Sequence, residues 1–404
     1  MKFNKILIYK LLILVVCILL YGNTIENKYS FDDKLVTANN QNTTKGIAGI
    51  PDILTGYYDT GADYHYGYRP VTKILYAIEY SIFGKNPSVS HFINIILYCI
   101  TGLLIFFILT NLFQKHDISL SFIITIIFLA HPLHTEVVAS LKNREEILCF
   151  MFCLLSLRMF YLYIKNHKLL HLISGFLFLF LGYLTKESAA VFVLIIPLTL
   201  YYFTKVKLKK IFIYTISLFI FIFVIRKIIT SVFPADVSPL YFENPLYFEK
   251  NFFTKVGTGF VSLLYYLKLL ILPHPLSFYY GYNTIPIADI LNINTIISIC
   301  IHLFIFIYAL ISIKKKTILS YGILFYLIAI ALFSNIFIPI NGIIAERLTY
   351  IASMGFAIVL GYIVYLISKK GQHKFLLYTI LIIILIPYSF KTISRNKDWK
   401  TDKT

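Results

Sequence analysis

Long runs of apolar residues dominate the chain and alternate with short polar segments. Eleven of these runs approach the ~20 residues that a helix needs to cross a bilayer, and they lie at positions 6–22, 91–112, 118–134, 146–164, 169–185, 188–204, 211–231, 293–313, 317–338, 349–368 and 373–390. Their unbroken Ile, Leu and Phe content lacks the alternating polarity of a membrane β-barrel. The pattern therefore predicts an all-α, polytopic membrane protein with about eleven transmembrane helices.

Two apolar segments need a separate interpretation. Met1–Leu20 begins with lysines like a signal peptide, but Tyr21-Gly22-Asn23 is a poor cleavage site, so we expect an uncleaved first helix. Val256–Leu272 is apolar enough to span a membrane, although counting it would invert the orientation of every later helix. Since Pro273 and Pro275 interrupt it, we predict a re-entrant or interfacial helix that returns to the outer side.

The charge pattern gives an orientation to these helices. Only 14% of the 404 residues are charged, where soluble domains carry about 25%, yet 37 Lys and Arg against 19 Asp and Glu give a net charge of +18. The lysines cluster in alternate short loops, for example at Lys115, Lys165 and Lys314–Lys316. This is the bias of cytoplasmic loops and not of a nucleic-acid surface. We expect the amino terminus inside and, with an odd number of spans, the carboxyl terminus outside.

Composition adds two smaller expectations. The five cysteines lie inside apolar runs, which indicates packing residues and supports no redox argument. The Ile-, Lys-, Asn- and Phe-rich usage is typical of an AT-rich genome. We therefore expect a bacterial inner-membrane protein with its site facing the periplasm.

The longest polar stretch follows the first span, and we predict residues 23–90 to form a large first extracytoplasmic loop. Its portion from Tyr29 to Pro70 is the best candidate for the site of chemistry, because a polar loop in so apolar a chain must lie in water at a membrane face. Asp32 and Asp33 could act there as a general base or hold a divalent cation. The alternative is that the pair caps a helix in solvent.

A second polar constellation is His131-Pro132-Leu133-His134-Thr135-Glu136 at the outer end of the third span. Two imidazoles with a nearby carboxylate could ligate a metal or align an acceptor. Pro132 breaks the helix, so the three side chains need not share a helical face. A turn at the membrane interface is the alternative.

Isolated cations on the acidic side form a third set of candidates, among them Arg69, Lys186 and Arg347. A cation that opposes the positive-inside bias is well suited to an anionic lipid phosphate, which guanidinium binds in a bidentate way. The alternative is pairing with sequence neighbours, Lys186 with Glu187 and Arg347 with Glu346. No glycine-rich phosphate loop is present, so a soluble nucleotide donor is not expected.

Several blocks of residues, in order along the chain, resemble the transmembrane and tetratricopeptide-repeat-containing O-mannosyltransferases and their bacterial relatives. The blocks are Phe31-Asp32-Asp33 with Asn39-Asn40, Tyr68-Arg69-Pro70, His91-Phe92-Ile93-Asn94, an HPxHTE block at His131–Glu136, Lys186-Glu187, Glu243-Asn244-Pro245 with Leu272–Ser277, Ala345–Tyr350 with Ser353-Met354-Gly355, and Arg395-Asn396 with Trp399. Each block is weakly specific, but their shared order over nearly the whole chain is a strong signal.

The resemblance implies a GT-C-like helical bundle that transfers a hexose, such as mannose, from a polyprenyl-phosphate carrier to an acceptor outside the membrane. It implies that Asp32 and Asp33 activate the acceptor hydroxyl, and that they are the site of any divalent cation. Arg347, Arg69 and Lys186 would bind the carrier phosphate, and His131, His134 and Glu136 would shape the acceptor side. The expected partners are this lipid-linked donor, a protein or glycan acceptor and membrane lipids, with no nucleic acid.

The expected domain organisation is one transmembrane glycosyltransferase domain over residues 1–392, with a central outer segment at 232–292. Residues 393–404 form an extracytoplasmic tail at the point where family members continue into tetratricopeptide repeats. Those repeats are not part of this sequence, which leaves protein Ser/Thr hydroxyls, lipids and surface glycans open as acceptors. The alternative from another functional class is a flippase for a lipid-linked sugar, which the scarcity of polar residues in the spans disfavours.

Overall fold

The computed structural model describes residues 2–60, 65–235, 240–280, 283–370 and 374–402, and these residues are almost entirely helical. The α-helices are α1 (Lys2–Tyr21), α2 (Asp33–Val36), α3 (Gln41–Thr44), α4 (Ile50–Thr55), α5 (Pro70–Phe83), α6 (Pro87–Leu112), α7 (Ile118–Ala130), α8 (Thr135–Ala139), α9 (Arg144–Asn166), α10 (Leu169–Thr185), α11 (Phe192–Phe203), α12 (Leu208–Val232), α13 (Phe252–Ile271), α14 (Ile293–Ser312), α15 (Ile318–Ala331), α16 (Tyr350–Lys370) and α17 (Lys374–Arg395). Two short strands, β1 (Asp59–Thr60) and β2 (His65–Tyr66), pair antiparallel in the first loop.

All eleven predicted spans coincide with helices: α1, α6, α7, α9 to α12 and α14 to α17. Among the described residues, seven helices are long and apolar enough to cross a membrane, or eight if α7 and the segment Pro132–Ala139 form one bent span. The predicted all-α polytopic architecture is thus confirmed. The count of eleven remains a prediction, because α10, α11 and α15 are each shorter than the ~20 residues of a typical span.

Short-range capping explains where many of these helices begin. An Asn or Asp side chain accepts a hydrogen bond from a backbone N–H in the first turn, which would otherwise have no partner. Asn86 accepts from Val89 at the start of α6, and Asp117 accepts from Ser119 at the start of α7. Asn251 and Asn292 cap α13 and α14 with equivalent hydrogen bonds.

The chain divides into two compact units, residues 1–237 with 367–404, and residues 238–366. In the first unit, α1, α6, α7, α9 and α17 pack around a core that includes Phe106, Phe128 and Phe150. α17 is joined to this core by the Thr392 hydroxyl, which donates to the carbonyl of Ala130 at 3.2 Å. The first unit therefore combines the amino-terminal helices with the last helix of the chain.

In the second unit, α13 to α16 pack through small residues. The Thr295 hydroxyl of α14 donates to the carbonyl of Gly257 in α13 at 3.2 Å. A Cβ added at Gly355 of α16 would lie 2.7 Å from the carbonyl oxygen of Gly322 in α15, so the two backbones can approach this closely only without a side chain.

Two sequence interpretations bear on the loops. The segment Val256–Leu272 coincides with α13, which is continuous from Phe252 to Ile271. That this helix is re-entrant or interfacial remains a prediction. The first loop is not irregular, since it contains α2 to α5 and the paired strands β1 and β2. Its helix α5 carries the residues that tie the loop to the first unit.

Candidate functional site

The two acidic residues of the first loop have opposite environments. Asp33 lies in the first turn of α2 with its side chain fully buried. One carboxylate oxygen accepts from the backbone N–H of Lys142 at 2.8 Å and from the Ser140 hydroxyl at 3.2 Å, and the other accepts from the N–H of Ser30 at 3.2 Å. Burial raises the pKa of Asp33 to about 7, although these donors favour the charged form.

Asp32 occupies the N-cap position of α2, but its side chain makes no capping hydrogen bond and is exposed to solvent. The predicted alternative, a simple helix cap, therefore does not describe Asp32. Of the two carboxylates, Asp32 is the one that a substrate outside the protein can reach. Asp33 instead anchors the loop to the segment that follows the HPxHTE block.

Cations and carboxylates converge on Glu145 at the start of α9. Its side chain is fully buried, and Oε1 lies 2.8 Å from Lys186 Nζ, 3.1 Å from Arg69 Nη1 and 3.4 Å from Lys142 Nζ. The Tyr58 hydroxyl donates to Oε2 at 3.1 Å. We call Glu145 and these three cations the Glu145 cluster, and it brings together the predicted phosphate ligands Arg69 and Lys186.

The partners of these cations differ from the pairing suggested by sequence proximity. Lys186 also binds Glu146, with 2.7 Å between Nζ and Oε1, and not only Glu145. Its sequence neighbour Glu187 pairs with Arg69 at 2.7 Å, through a carboxylate that is 49% exposed. Arg69 therefore bridges one buried and one exposed carboxylate, and its own side chain is 23% exposed.

The HPxHTE block lies in the interior of the first unit. The chain bends by 54° between α7 and Pro132–Ala139, as expected where a proline interrupts a helix. His131 caps the turn by accepting from the N–H of Leu133 at 3.3 Å, and His134 Nδ1 lies 2.8 Å from the Tyr98 hydroxyl. Both imidazoles and the Glu136 side chain are buried.

The donor set does not favour a metal ion. Among the described residues, no group of three or more His, Cys, Asp and Glu side chains is close enough to hold one. At Asp33, N–H and O–H groups point at both oxygens, and such donors repel a cation. The residues of the first loop therefore fit a hydrogen-bonded carboxylate better than the divalent-cation site that the sequence allowed.

A polar cavity of about 500 Å³ opens in the first loop. It is lined by Asn39–Asn42, Gly56, Tyr57–Asp59 and Lys73. The Lys73 ammonium donates to the carbonyls of Tyr57 and Tyr58 at 3.2 and 2.9 Å, and burial lowers the pKa of this lysine. The volume lies within the range of about 300–1,000 Å³ that is usual for small-molecule sites.

Arg347, the third predicted phosphate ligand, belongs to the second unit and is half-buried. Its neighbour Glu346 is buried, and one carboxylate oxygen accepts from the N–H of Ser277 at 2.6 Å and from the Tyr280 hydroxyl at 2.9 Å. Two blocks that the sequence analysis identified separately, Leu272–Ser277 and Ala345–Tyr350, are thus joined through Glu346.

Arg144, another isolated cation on the acidic side in the sequence, is buried in the structure. Its guanidinium is fully buried and donates to Glu79 at 2.7 Å and to the carbonyl of Ser90 at 2.8 Å, while it stacks on the Tyr76 ring at 3.9 Å. With its donors satisfied inside the protein, Arg144 joins α5, α6 and α9. The sequence signal that could have indicated this role is Glu79, the one acidic residue of α5.

Comparisons with known proteins show similarity to proteins named as mannosyltransferases. A family model described as dolichyl-phosphate-mannose-protein mannosyltransferase matches residues 69–229. Protein O-mannosyl-transferase F38B6.6 of Caenorhabditis elegans is 27% identical over 405 residues, which cover 98% of this chain and 56% of that protein. Human protein O-mannosyl-transferase TMTC3 is 26% identical over 381 residues, which cover 84% of this chain and 40% of that protein.

Mouse protein O-mannosyl-transferase TMTC4 is 24% identical over 456 residues, which cover 98% of this chain and 60% of that protein. The chain thus spans about half the length of the curated relatives that it matches. The segment matched by the family model begins at Arg69 and contains the whole cationic part of the Glu145 cluster.

Proposed function

We propose that the chain is an integral-membrane glycosyltransferase related to the transmembrane and tetratricopeptide-repeat-containing O-mannosyltransferases, a proposal supported by its similarity to proteins with that name. The proposed donor is a hexose on a polyprenyl phosphate, with mannose suggested by the names of the relatives. The proposed acceptor is a Ser or Thr hydroxyl of a protein outside the membrane. We propose a bacterial inner-membrane location with the site facing the periplasm.

One observation carries this proposal: Lys142 connects the acidic pair to the Glu145 cluster. Its backbone N–H donates to Asp33 at 2.8 Å, while its ammonium lies 3.4 Å from Glu145. The acidic pair and a group of cations therefore lie next to each other in the first unit. Glycosyl transfer from a lipid phosphate needs this combination, a proton acceptor for the attacking hydroxyl and positive charge for the departing phosphate.

In the proposed mechanism, Asp32 is the general base. The acceptor oxygen attacks the anomeric carbon, the bond from that carbon to the phosphate oxygen breaks, and the lipid phosphate leaves with the bonding electrons. The proton of the hydroxyl passes to Asp32, and the anomeric configuration inverts. Asp32 has this role rather than Asp33 because Asp32 is exposed, whereas both oxygens of Asp33 already accept hydrogen bonds.

The cations of the Glu145 cluster are proposed to bind the phosphate. Arg69 is best suited, because Glu187 is 49% exposed and can turn away when a phosphate takes its place on the guanidinium. Lys186 forms ion pairs with Glu145 and Glu146 and contributes positive charge to the phosphate site. Arg347 is proposed as a further phosphate ligand on the resemblance of its block alone.

His131, His134 and Glu136 are proposed to shape the acceptor side indirectly. They are buried, and the chain that leaves their block reaches Asp33 through Ser140 and Lys142. In addition, the Asn143 side chain donates to the carbonyl of Glu136 at 3.1 Å. The block thus stabilises the segment from Ser140 to Lys142, which donates hydrogen bonds to Asp33 of the acidic loop.

The test is sugar transfer in detergent by purified protein, with radiolabelled polyprenyl-phosphate mannose or glucose and separate protein and glycolipid acceptors. Asp32→Asn should lower the rate by about 100-fold or more, since a general base contributes about 10²–10⁴-fold. The matched control is Glu26→Gln, which removes an exposed carboxylate of the same loop and should leave the rate unchanged.

The other outcomes separate the alternatives. Label in glycolipid alone would move the acceptor to a glycan or lipid. Full activity of Asp32→Asn would refute its role as base. If no acceptor is labelled while wild type and Asp32→Asn bind the carrier equally well, the flippase becomes the better interpretation.

A further inference from the structure

The segment Arg395–Asp402 packs against the beginning of the first loop, far from it in sequence. The carbonyl of Lys400 accepts from the N–H of Lys28 at 3.1 Å, and the carbonyl of Trp399 accepts from the Ser30 hydroxyl at 3.1 Å. Asp402 accepts from the N–H of Phe31 at 2.7 Å and forms an ion pair with Lys34. We call this segment the C-terminal clamp. Its contacts cover both sides of the acidic pair.

The clamp is itself anchored to the first unit. The Asn396 side chain donates to the carbonyl of Leu20 at 2.8 Å and to Asn23 at 2.7 Å. Trp399 is only 1% exposed, and its ring meets the Phe31 ring edge-on with 5.8 Å between centroids. Asn396 and Trp399 thus place the clamp beside the loop, and Asp402 completes its attachment through Phe31 and Lys34.

Phe31 adopts a backbone conformation that needs such support. Its φ is +48°, in the left-handed region that residues with a Cβ rarely occupy. The backbone N–H of Phe31 donates a hydrogen bond to the Asp402 carboxylate. The turn at Phe31 reverses the chain immediately before Asp32, while Asp33 is drawn inward by Ser140 and Lys142.

We propose that the C-terminal clamp sets the position of Asp32, and that Asp402 is a positioning residue for sugar transfer. This inference rests on the proposed function of Asp32 as base. Asp402 does not touch substrate. It acts by holding Phe31 and Lys34, so that the exposed carboxylate between them is presented in one orientation and not in many.

The kinetic test compares Asp402→Ala and Asp402→Asn in the transfer assay. Alanine removes both the acceptor for Phe31 and the charge opposite Lys34, so kcat should fall about 10- to 100-fold while KM for the lipid donor stays unchanged. Asparagine keeps an oxygen for the Phe31 N–H and should restore most of the rate. The matched control is Asp52→Ala, which breaks the exposed Lys45–Asp52 pair of the same loop and should be silent.

A second measurement does not depend on transfer. Trp399 is the single tryptophan of the chain, so fluorescence excited selectively from tryptophan, and not from the 32 tyrosines, reports on the clamp alone. Acrylamide should quench it poorly in wild type and in Asp52→Ala, and clearly better in Asp402→Ala, as the clamp loosens and Trp399 becomes accessible.

The two measurements distinguish failure of the inference from failure of the proposed function. Absence of transfer by wild type would refute the function, and with it the catalytic role of the clamp, while quenching would still decide whether Asp402 docks the segment. If Asp402→Ala has the same kcat and the same quenching as wild type, the proposed role of Asp402 and of the clamp is refuted. A loss of rate that follows a lower thermal midpoint and is not rescued by asparagine would assign Asp402 a merely structural role.

Discussion

The Glu145 cluster allows a buried and an exposed carboxylate to be compared on the same arginine. Arg69 binds Glu145, whose side chain is fully buried, and Glu187, whose side chain is 49% exposed. The perturbations are the isosteric changes Glu145→Gln and Glu187→Gln. Each removes one negative charge opposite Arg69 without a change of shape.

The expected magnitudes differ because of desolvation. Removing one partner of a buried ion pair costs about 3–5 kcal/mol, since the remaining charge has neither water nor a counter-ion. After Glu145→Gln, Lys186 retains Glu146 and Arg69 retains Glu187, so we expect about 3 kcal/mol, at the low end of that range. An exposed ion pair contributes about 0–1 kcal/mol, so Glu187→Gln should lower the free energy of unfolding by no more than about 1 kcal/mol.

The assay is denaturant unfolding in detergent micelles, followed by the fluorescence of Trp399, which lies in the same unit as the cluster. The free energy of unfolding is extrapolated for wild type and both variants at one ionic strength. Equal losses for Glu145→Gln and Glu187→Gln would refute the reasoning, because burial would then make no difference to the strength of the pairing.

Two further predictions concern Asp33 and Gly355. Because burial raises the folded-state pKa of Asp33 to about 7, from an ordinary value of 3.8, the folded chain holds this proton more tightly than the unfolded chain. The resulting stabilisation is complete below pH 4 and is lost as pH rises to 7, so the stability of Asp33→Asn relative to wild type should increase by about 4 kcal/mol from pH 4 to pH 8. If the free energies of unfolding of wild type and Asp33→Asn differ by a constant amount from pH 4 to pH 8, this prediction is contradicted. Gly355→Ala should cost about 1–3 kcal/mol, since its Cβ would lie 2.7 Å from the Gly322 carbonyl, whereas Gly22→Ala, with no atom within 4 Å, is the control; equal thermal midpoints for these two variants would contradict the close contact of α15 and α16.

The sequence by itself determined the helices. Each apolar run long enough to need burial or lipid became a helix, and caps such as Asn86 and Asp117 fixed where helices begin. These features depend on residues a few positions apart, which is why local pattern suffices to predict them. The order of the motif blocks is likewise visible in the sequence alone, and it indicated the resemblance to the O-mannosyltransferases.

The candidate site was only partly accessible to such reasoning. The sequence singled out Asp32, Asp33, Arg69 and Lys186, but it treated Asp32 and Asp33 as equivalent. It also suggested Glu187 as the partner of Lys186, because the two are adjacent in the chain. In the structure Lys186 reaches the buried Glu145, and Glu187 binds Arg69.

Only the tertiary structure decided which aspartate is buried, where the cations converge and what holds the acidic loop. Asp33 meets Lys142 across 109 positions, Arg69 meets Glu187 across 118, and Phe31 meets Asp402 across 371. Such contacts depend on how helices pack around a common core, and no local pattern encodes them. Burial follows from the same packing, and burial is what separates an anchoring carboxylate from a reactive one.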